Sequence, residues 1–371
     1  MKTFFTLLIA LIFPFALSAQ QIEWAESYDI PNSYNVAAID TDESGNIITT
    51  GIFNPSPNWP YHGPVYVQKM TADGDSLWNY DLNGLIIPSD MATVGDNILI
   101  IGQSNGQFTY QGVNYGQYPY CMFVIMLDEN GEVLWHFSEV DKWGQNTNIA
   151  VGNTGEIALH IRGEGNSTDW IYIIDSEGNI LQEKHVNENF TLVMDIAYYD
   201  GRLYFNGSFF GPGTTMVDTI LVELPEFENA SITMGFDENL TAQWLHTGQT
   251  INNSVGQIEA DEHGLVVYEP LVDNFFNSIH SLKRFAFDGE LLAEIEIPTY
   301  SSFAILKPDL TITPDQIGLF MQNSNSGSDH IARIYDKEFN LISEKEVTGA
   351  SEIWGGKIAH NENDIFISNV H

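Results

Sequence analysis

The chain is nearly without cysteine and short of basic residues, and both shortages narrow what it can be. Cys121 is the only cysteine in 371 residues. No intramolecular disulfide can form, so a fold in an oxidising compartment would have to be held by its core. Cys121 lies in the apolar stretch Tyr120-Cys121-Met122-Phe123-Val124, where a buried, inert thiol is expected. Thirteen Lys and Arg stand against 50 Asp and Glu, a formal net charge of −37. Nucleic acid, anionic lipid and heparin-like polymers are disfavoured as partners, because binding them requires basic patches. Cations and cationic partners are favoured. The same charge also confers solubility in a salty medium, where repulsion is screened beyond ~10 Å. No H-E-x-x-H occurs and the ten His are scattered, so spacing indicates no zinc site. No convincing helical segment exists to follow a Gly-rich loop, which excludes phosphate-binding and dinucleotide fingerprints.

The N-terminus reads as a secretory signal peptide over residues 1–19. Lys2 supplies a positive start, Phe4 to Leu17 is apolar, and Leu17-Ser18-Ala19 is a cleavage site before Gln20. The stretch is too short and wrongly flanked for a spanning helix, and no later run reaches the ~18 apolar residues that one needs. No Cys follows directly, so lipid anchoring is not expected. An exported protein, in the cell envelope or outside the cell, is the expectation.

What the remaining chain has in abundance is one short hairpin, seven times over. A polar or Gly turn precedes four or five mostly apolar residues, as in Ser44-Gly45-Asn46-Ile47-Ile48-Thr49-Thr50-Gly51 and Gly95-Asp96-Asn97-Ile98-Leu99-Ile100-Ile101-Gly102. Anchored on Asn46, Asn97, Glu156, Arg202, Leu265, Gln316 and Asp364, the intervals are 51, 59, 46, 63, 51 and 48 residues. A second hairpin completes each unit, with an Asp/Asn/Gly turn and often a Trp, as in Leu127-Asp128-Glu129-Asn130-Gly131-Glu132-Val133-Leu134-Trp135. A strand-and-turn period of this size predicts an all-β, seven-bladed β-propeller of four-stranded antiparallel blades, one domain over residues 20–371 and a monomer. Trp78, Trp135 and Trp244 are expected to be core residues packed between blades.

Seven first hairpins but only six complete second hairpins can be counted. The orphan strand Ile22–Tyr28 is expected to pair with the last blade and close the ring. That leaves the last blade one strand short at His371, which fits either a chain that continues or a three-stranded blade.

The pattern Asp42-x-x-Gly45-Asn46-Ile47-x-x-x-Gly51, followed by Val65-Tyr66-Val67-x-Lys69-x-x-x-x-Gly74-x-x-x-Trp78, resembles the secreted seven-bladed β-propeller repeats common in Bacteroidota. The resemblance spans residues 22–371 and is strongest in the first two units. It implies a cell-surface or secreted protein and carries no catalytic residues. Many such proteins end in an Ig-like sorting domain for type IX secretion. The sequence up to His371 holds none, which suits a continuing chain or a periplasmic protein.

Several motifs compete for a functional reading. Gly102-Gln103-Ser104-Asn105-Gly106 matches G-x-S-x-G, but a nucleophile elbow needs strand–turn–helix context, and Gln107 to Gly112 does not read as helical. Asp40-Thr41-Asp42-Glu43-Ser44-Gly45 resembles the start of a calcium loop, so Asp40, Asp42 and Ser44 are candidate Ca²⁺ ligands, although Ile48 and Gly51 occupy later ligand positions. The variable loops are rich in aromatics: Trp59, Tyr61 and His62; Tyr115 and Tyr118; Trp170; Phe209 and Phe210; Phe275 and Phe276. Rings on loops of a rigid scaffold suit a protein or glycan ligand. The expectation is a non-catalytic binding or scaffold module. The alternative is a polysaccharide lyase or hydrolase with an acidic site at the centre of the ring, drawn from Asp81, Asp90, Glu139, Asp141 and His246.

Overall fold

The protein's computed structural model describes residues 33–53, 63–116, 120–140, 142–163, 169–186, 192–209, 213–218, 220–224, 229–250, 256–272, 278–297, 308–322, 329–348, 357–360 and 365–368. Among the described residues there is no helix, and hence none long and apolar enough to cross a membrane.

The first sheet holds β1 (Ser33–Thr41), β2 (Ile47–Phe53), β3 (Gly63–Met70) and the leading half of β4 (Ser76–Val94). β4 changes partner at Ile86, which pairs with Gly63 of β3 and with Ser104 of β5, and from there serves as the first strand of the second sheet. That sheet continues with β5 (Asn97–Ser104), carries a small side hairpin of β6 (Phe108–Tyr110) and β7 (Val113–Tyr115), and ends with β8 (Cys121–Leu127) and β9 (Val133–Val140). The third is β10 (Lys142–Val151), β11 (Ile157–Gly163), β12 (Asp169–Ile174) and β13 (Ile180–Val186). The fourth is β14 (Leu192–Tyr199) and β15 (Arg202–Phe209), then an inserted hairpin of β16 (Gly213–Val217) and β17 (Ile220–Leu224), then β18 (Asn229–Phe236) and β19 (Ala242–Thr250). The fifth is β20 (Gln257–Asp261), β21 (Gly264–Val272), β22 (Ser278–Phe285) and β23 (Leu291–Ile297). The sixth is β24 (Asp309–Ile312), β25 (Gln316–Gln322), β26 (Asp329–Asp336) and β27 (Leu341–Thr348). β28 (Lys357–His360) and β29 (Ile365–Ser368) form a last pair.

Every pairing is antiparallel, and sheet order follows chain order. The first strands touch in sequence, β1 to β4, β10, β14, β20, β24 and β28, and β28 touches β1. The arrangement is β-propeller-like. The proposed closing strand Ile22–Tyr28 lies outside the described residues.

The middle strands are buried on both faces, which explains why they read as apolar runs instead of alternating. Every residue of β8 is buried, Cys121 included. The core lies in the seams: Leu99, Ile101 and Met122 of the second sheet cluster with Ile157, Leu159 and Tyr172 of the third. Each such side chain contributes about 1.5–3 kcal/mol on burial.

Turn chemistry repeats with the hairpins. Asp128, Asp175, Asp237 and Asp336 each accept, through one carboxylate oxygen, the backbone N–H two and four residues on. That satisfies two donors that a tight turn would leave unpaired. The following Gly is used twice. Gly178 has φ +82°, and a Cβ there would sit 2.8 Å from the ring of Trp135 in the preceding sheet; Gly289, at φ +90°, lies 2.6 Å from Trp244 in the same way.

Those tryptophans depart from the expectation of a fully buried core. Trp78, Trp135 and Trp244 sit on the outermost strand of their sheets and are only partly buried. Each donates its Nε1–H to a carbonyl in the next sheet's turn, at Glu129 (2.9 Å), Ser176 (2.8 Å) and Phe287 (3.0 Å), and the Trp135 and Trp244 rings lie against the turn glycines Gly178 and Gly289. Gln182 makes the equivalent bond to Glu238. An outer strand has no further sheet to cover it, so these rings seal the seam from outside instead of filling its interior.

Candidate functional site: the acidic channel

The touching first strands enclose a cavity of about 260 Å³. Five carboxylates line it: Asp40, Asp90, Asp195, Glu259 and Asp309. Small residues, Ala38, Ala92, Ala150, Ala197 and Ala359, fill much of the remaining wall and let the strands approach. Asp90, Asp195 and Asp309 occupy one register position of their sheets, opposite Ile101, Asn206 and Phe320. Asp40 and Glu259 sit two residues further along that position, nearer the hairpin turn.

Four of the five acids reach across a seam. Asp40 Oδ2 accepts Thr93 N–H (2.7 Å) and Thr93 Oγ1–H (2.9 Å). Asp90 Oδ2 accepts Ile149 N–H (2.8 Å), Asp195 Oδ2 accepts Ile258 N–H (2.9 Å), and Asp309 Oδ2 accepts Ile358 N–H (2.7 Å). The innermost strand of each sheet has a neighbour on one side only, so its other N–H groups need acceptors. The carboxylates of the adjoining sheet supply them as charge-assisted hydrogen bonds.

Enclosure raises the proton affinity of two of these acids. Burial, opposed by the Thr41 and Thr93 hydrogen bonds and helped by Asp90, pushes Asp40 up to about 6. Burial and then the surrounding Asp195, Asp309, Asp40 and Asp90 hold Glu259 well above the usual carboxylate range. Asn148 also lines the cavity. Its Nδ2 lies 3.1 Å from His160 Nδ1, and His160 Nε2 lies 3.4 Å from Asp169.

Of the acidic residues singled out from sequence for a central site, only Asp90 is in the channel. Asp81 is exposed on the outer half of β4. Glu139 meets the Tyr172 hydroxyl at 3.3 Å, and His246 Nε2 lies 3.0 Å from Gly289 O at a seam. Asp141 lies outside the described residues. Asp195, Glu259 and Asp309 were missed, and Asp40 was read only as a calcium ligand. A recurrent signal was there to find: Asp90-Met91-Ala92, Asp195-Ile196-Ala197 and Asp309-Leu310-Thr311 stand at one place in the repeat.

The calcium-loop residues do not converge. Asp40 turns to Thr93. Asp42 is fully buried against Lys69 (2.7 Å) and accepts Asn46 N–H (2.7 Å), while Ser44 Oγ bonds Asp96 (3.0 Å). Among the described residues no three His, Cys, Asp or Glu are grouped to hold a metal ion. Asp40, Asp42 and Ser44 thus do not aim at one point, as a set of Ca²⁺ ligands would.

Of the candidate loop aromatics, Tyr115 is buried, stacked on Phe108 with its edge to His136. Trp170 is partly buried on β12 against His185. Trp59, Tyr61, His62, Tyr118, Phe210, Phe275 and Phe276 lie outside the described residues, as does the side chain of Phe209. Ser104 of the G-x-S-x-G match is buried at the end of strand β5, bonded to Gly106 O (2.9 Å) and near Cys121 Sγ (3.1 Å). Its Gly102 is required because a Cβ would meet Ile87 O at 2.4 Å.

No protein-family model and no curated protein matches the chain. Among solved structures it is similar to a protein of unknown function from Bacteroides caccae, at 11% identity over 61% of this chain and 69% of that one, TM-score 0.37. It is also similar to a DUF4623 family protein from Bacteroides eggerthii (9% identity, 84% and 70% covered, TM-score 0.42) and to a europium-containing methanol dehydrogenase (10%, 88% and 74%, 0.43).

Proposed function

We propose that the chain is an exported, closed seven-bladed β-propeller that serves as a non-catalytic binding or scaffold module in the cell envelope or outside the cell. The observation that carries this reading is the use made of the channel acids. Four of five are engaged as inter-sheet braces, so the centre of the ring supports architecture. Ligand recognition then falls to the sequence segments between strands, which hold Trp59, Tyr61, Tyr118, Phe210 and Phe275. A protein or glycan ligand suits those rings. Export rests on the signal-peptide pattern of residues 1–19. The test is a glycan array and an envelope-protein pull-down on the purified ring, repeated with Trp59→Ala and Phe275→Ala. Binding that survives both substitutions overturns the loop assignment.

One observation favours a second reading. Glu259 is a carboxyl whose proton affinity is raised by burial and then by neighbouring acids, beside acids that serve as hydrogen-bond acceptors, and pairs of unlike acids run glycoside chemistry on other scaffolds. Turnover of a polysaccharide panel by the native protein, abolished in Glu259→Gln, would replace the binding module with an enzyme.

A further inference from the structure

The outer strands carry a recurrent apolar residue that the core does not use. Leu77, Leu134, Leu181, Leu292 and Ile342 each stand three residues after the left-handed residue of their turn, and all are 51–53% exposed. Single apolar side chains scattered over a surface need no explanation, but five at one place in a repeat form a pattern. They lie on the outermost strands of their sheets, where backbone N–H and C=O groups line an edge that can template a further strand.

The chain covers part of two outer strands itself. Leu82 of β4 pairs with Val65 of β3 on one side and with Tyr110 of β6 on the other, so the β6–β7 hairpin adds a strand to the outer edge of the first sheet. Its Phe108 and Tyr110 are buried in the same core cluster as Leu82. In the fourth sheet the inserted β17 touches the outer strand β19, and Ile220 and Leu245 pack against one cluster.

β23 of the fifth sheet offers the clearest open edge. Among the described residues it pairs only with β22. Its side chains alternate: Ala293, Ile295 and Ile297 pack on the core shared with the sixth sheet, while Leu292, Glu294 and Glu296 are exposed on the other face. The one ammonium beside this face, Lys283, serves two carboxylates, Glu269 (2.5 Å) and Glu294 (3.6 Å). The face therefore reads apolar, acidic, acidic. A second copy of the chain does not suit it. Antiparallel pairing of two β23 strands centred on Glu294 sets that carboxylate against itself and Leu292 against Glu296, and like charges directly opposite are destabilising. A basic partner strand turns the same positions into attractive pairs.

We propose that the far edge of β23 docks an extended segment of a partner protein, added antiparallel like every other strand pair in the molecule, which sets an apolar residue opposite Leu292 and Lys or Arg opposite Glu294 and Glu296. Main-chain hydrogen bonds give the affinity and the three outward side chains fix the register, since a slip of one residue turns the partner's charges to the wrong face. The surface is separate from the loop rings and does not rest on them.

The probe is a labelled seven-residue peptide that alternates threonine with lysine, lysine and leucine, in the order that antiparallel pairing requires. It is titrated into the full chain by fluorescence anisotropy at about 0.15 M salt, where distant charges are screened. Saturable binding is expected. The same peptide N-methylated at the backbone amides that would face β23 keeps every charge and loses the main-chain donors, and should bind at least about tenfold more weakly. Leu292→Glu and Glu296→Lys, both at exposed positions, should each weaken binding several-fold, and β23 amides should exchange several-fold more slowly in the complex. Trp59→Ala and Phe275→Ala should leave the affinity unchanged, so the loop reading and this one fail separately. No saturation by about 1 mM peptide overturns the proposal. So does equal binding of the N-methylated peptide, which marks adsorption of a cation to an acidic protein. That arm alters no protein side chain, so the test holds whether or not the variants fold.

Discussion

Replacing Lys69 with Met offers the sharpest test of how this ring is held together. Lys69 is 5% exposed and its partner Asp42 is fully buried, with Nζ and Oδ2 2.7 Å apart. Nζ also donates to Glu129 O of the second sheet (3.3 Å), beside the Trp78 latch on the same carbonyl. One ammonium thus ties the first turn of one sheet to the second turn of its neighbour. Met keeps most of the buried stem and removes the charge. Asp42 then retains its hydrogen bonds from Asn46 N and Nδ2 but loses its counter-ion in a site closed to water. An uncompensated buried charge costs about 3–5 kcal/mol. Urea unfolding of Lys69→Met should show a loss of that size. Asp42→Asn should cost less, because the ammonium keeps the Glu129 carbonyl. The double variant Lys69→Met/Asp42→Asn should lose less than the two single losses combined, by about 1–3 kcal/mol of coupling. A loss below about 1 kcal/mol for Lys69→Met, or strict additivity in the double variant, would refute the reasoning, since either means that water reaches Asp42.

Other expectations follow from the turns, the latches and the channel. Gly178→Ala should destabilise by about 1–3 kcal/mol, because it forces a side chain to positive φ and into Trp135; a loss no larger than that of Gly155→Ala, which has positive φ but nothing within 4 Å, would show that the ring contact is irrelevant. Trp135→Phe should cost about 1–2 kcal/mol through the lost bond to Ser176, less than the roughly 3–5 kcal/mol of a fully buried Trp cut to Ala; urea midpoints measure both. Asp40 is raised to about 6 in the folded ring, so its contribution to stability is complete below its ordinary value near 3.8 and is lost as pH climbs to about 6. Asp175 and Asp336 run oppositely, lowered by their Asn179 and Asn340 hydrogen bonds, so their contribution is lost as pH falls below about 4. Thermal unfolding across pH 3–8 should therefore peak in mild acid, and Asp40→Asn should flatten the decline above pH 4.

The hairpin repeat, the turns and the burial of Cys121 were legible along the chain because each depends on residues within about ten positions of one another. An Asp that bonds the amides two and four residues on declares itself locally, as does a Gly in a left-handed turn. The tryptophans show where this stops. Their recurrence marked them as repeat residues, but whether they fill a seam or seal it from outside depends on which strand ends the sheet. The calcium-ligand candidates separate for a related reason. Asp40 and Asp42 are two residues apart in sequence, but β1 ends at Thr41, so Asp40 faces the second sheet's Thr93 while Asp42 turns away with the hairpin to Lys69.

The sequence by itself determined an all-β chain of repeated hairpins with apolar middle strands, an acidic balance and no catalytic motif in a workable context. Those properties follow from composition and short-range geometry. Only the tertiary structure decided where the acids go. The carboxylates of the channel meet amides 53, 59, 63 and 49 positions away. No local rule separates them from an ordinary strand Asp. They become a site because the first strands of successive sheets touch, which buries and crowds their charges and lifts Asp40 and Glu259.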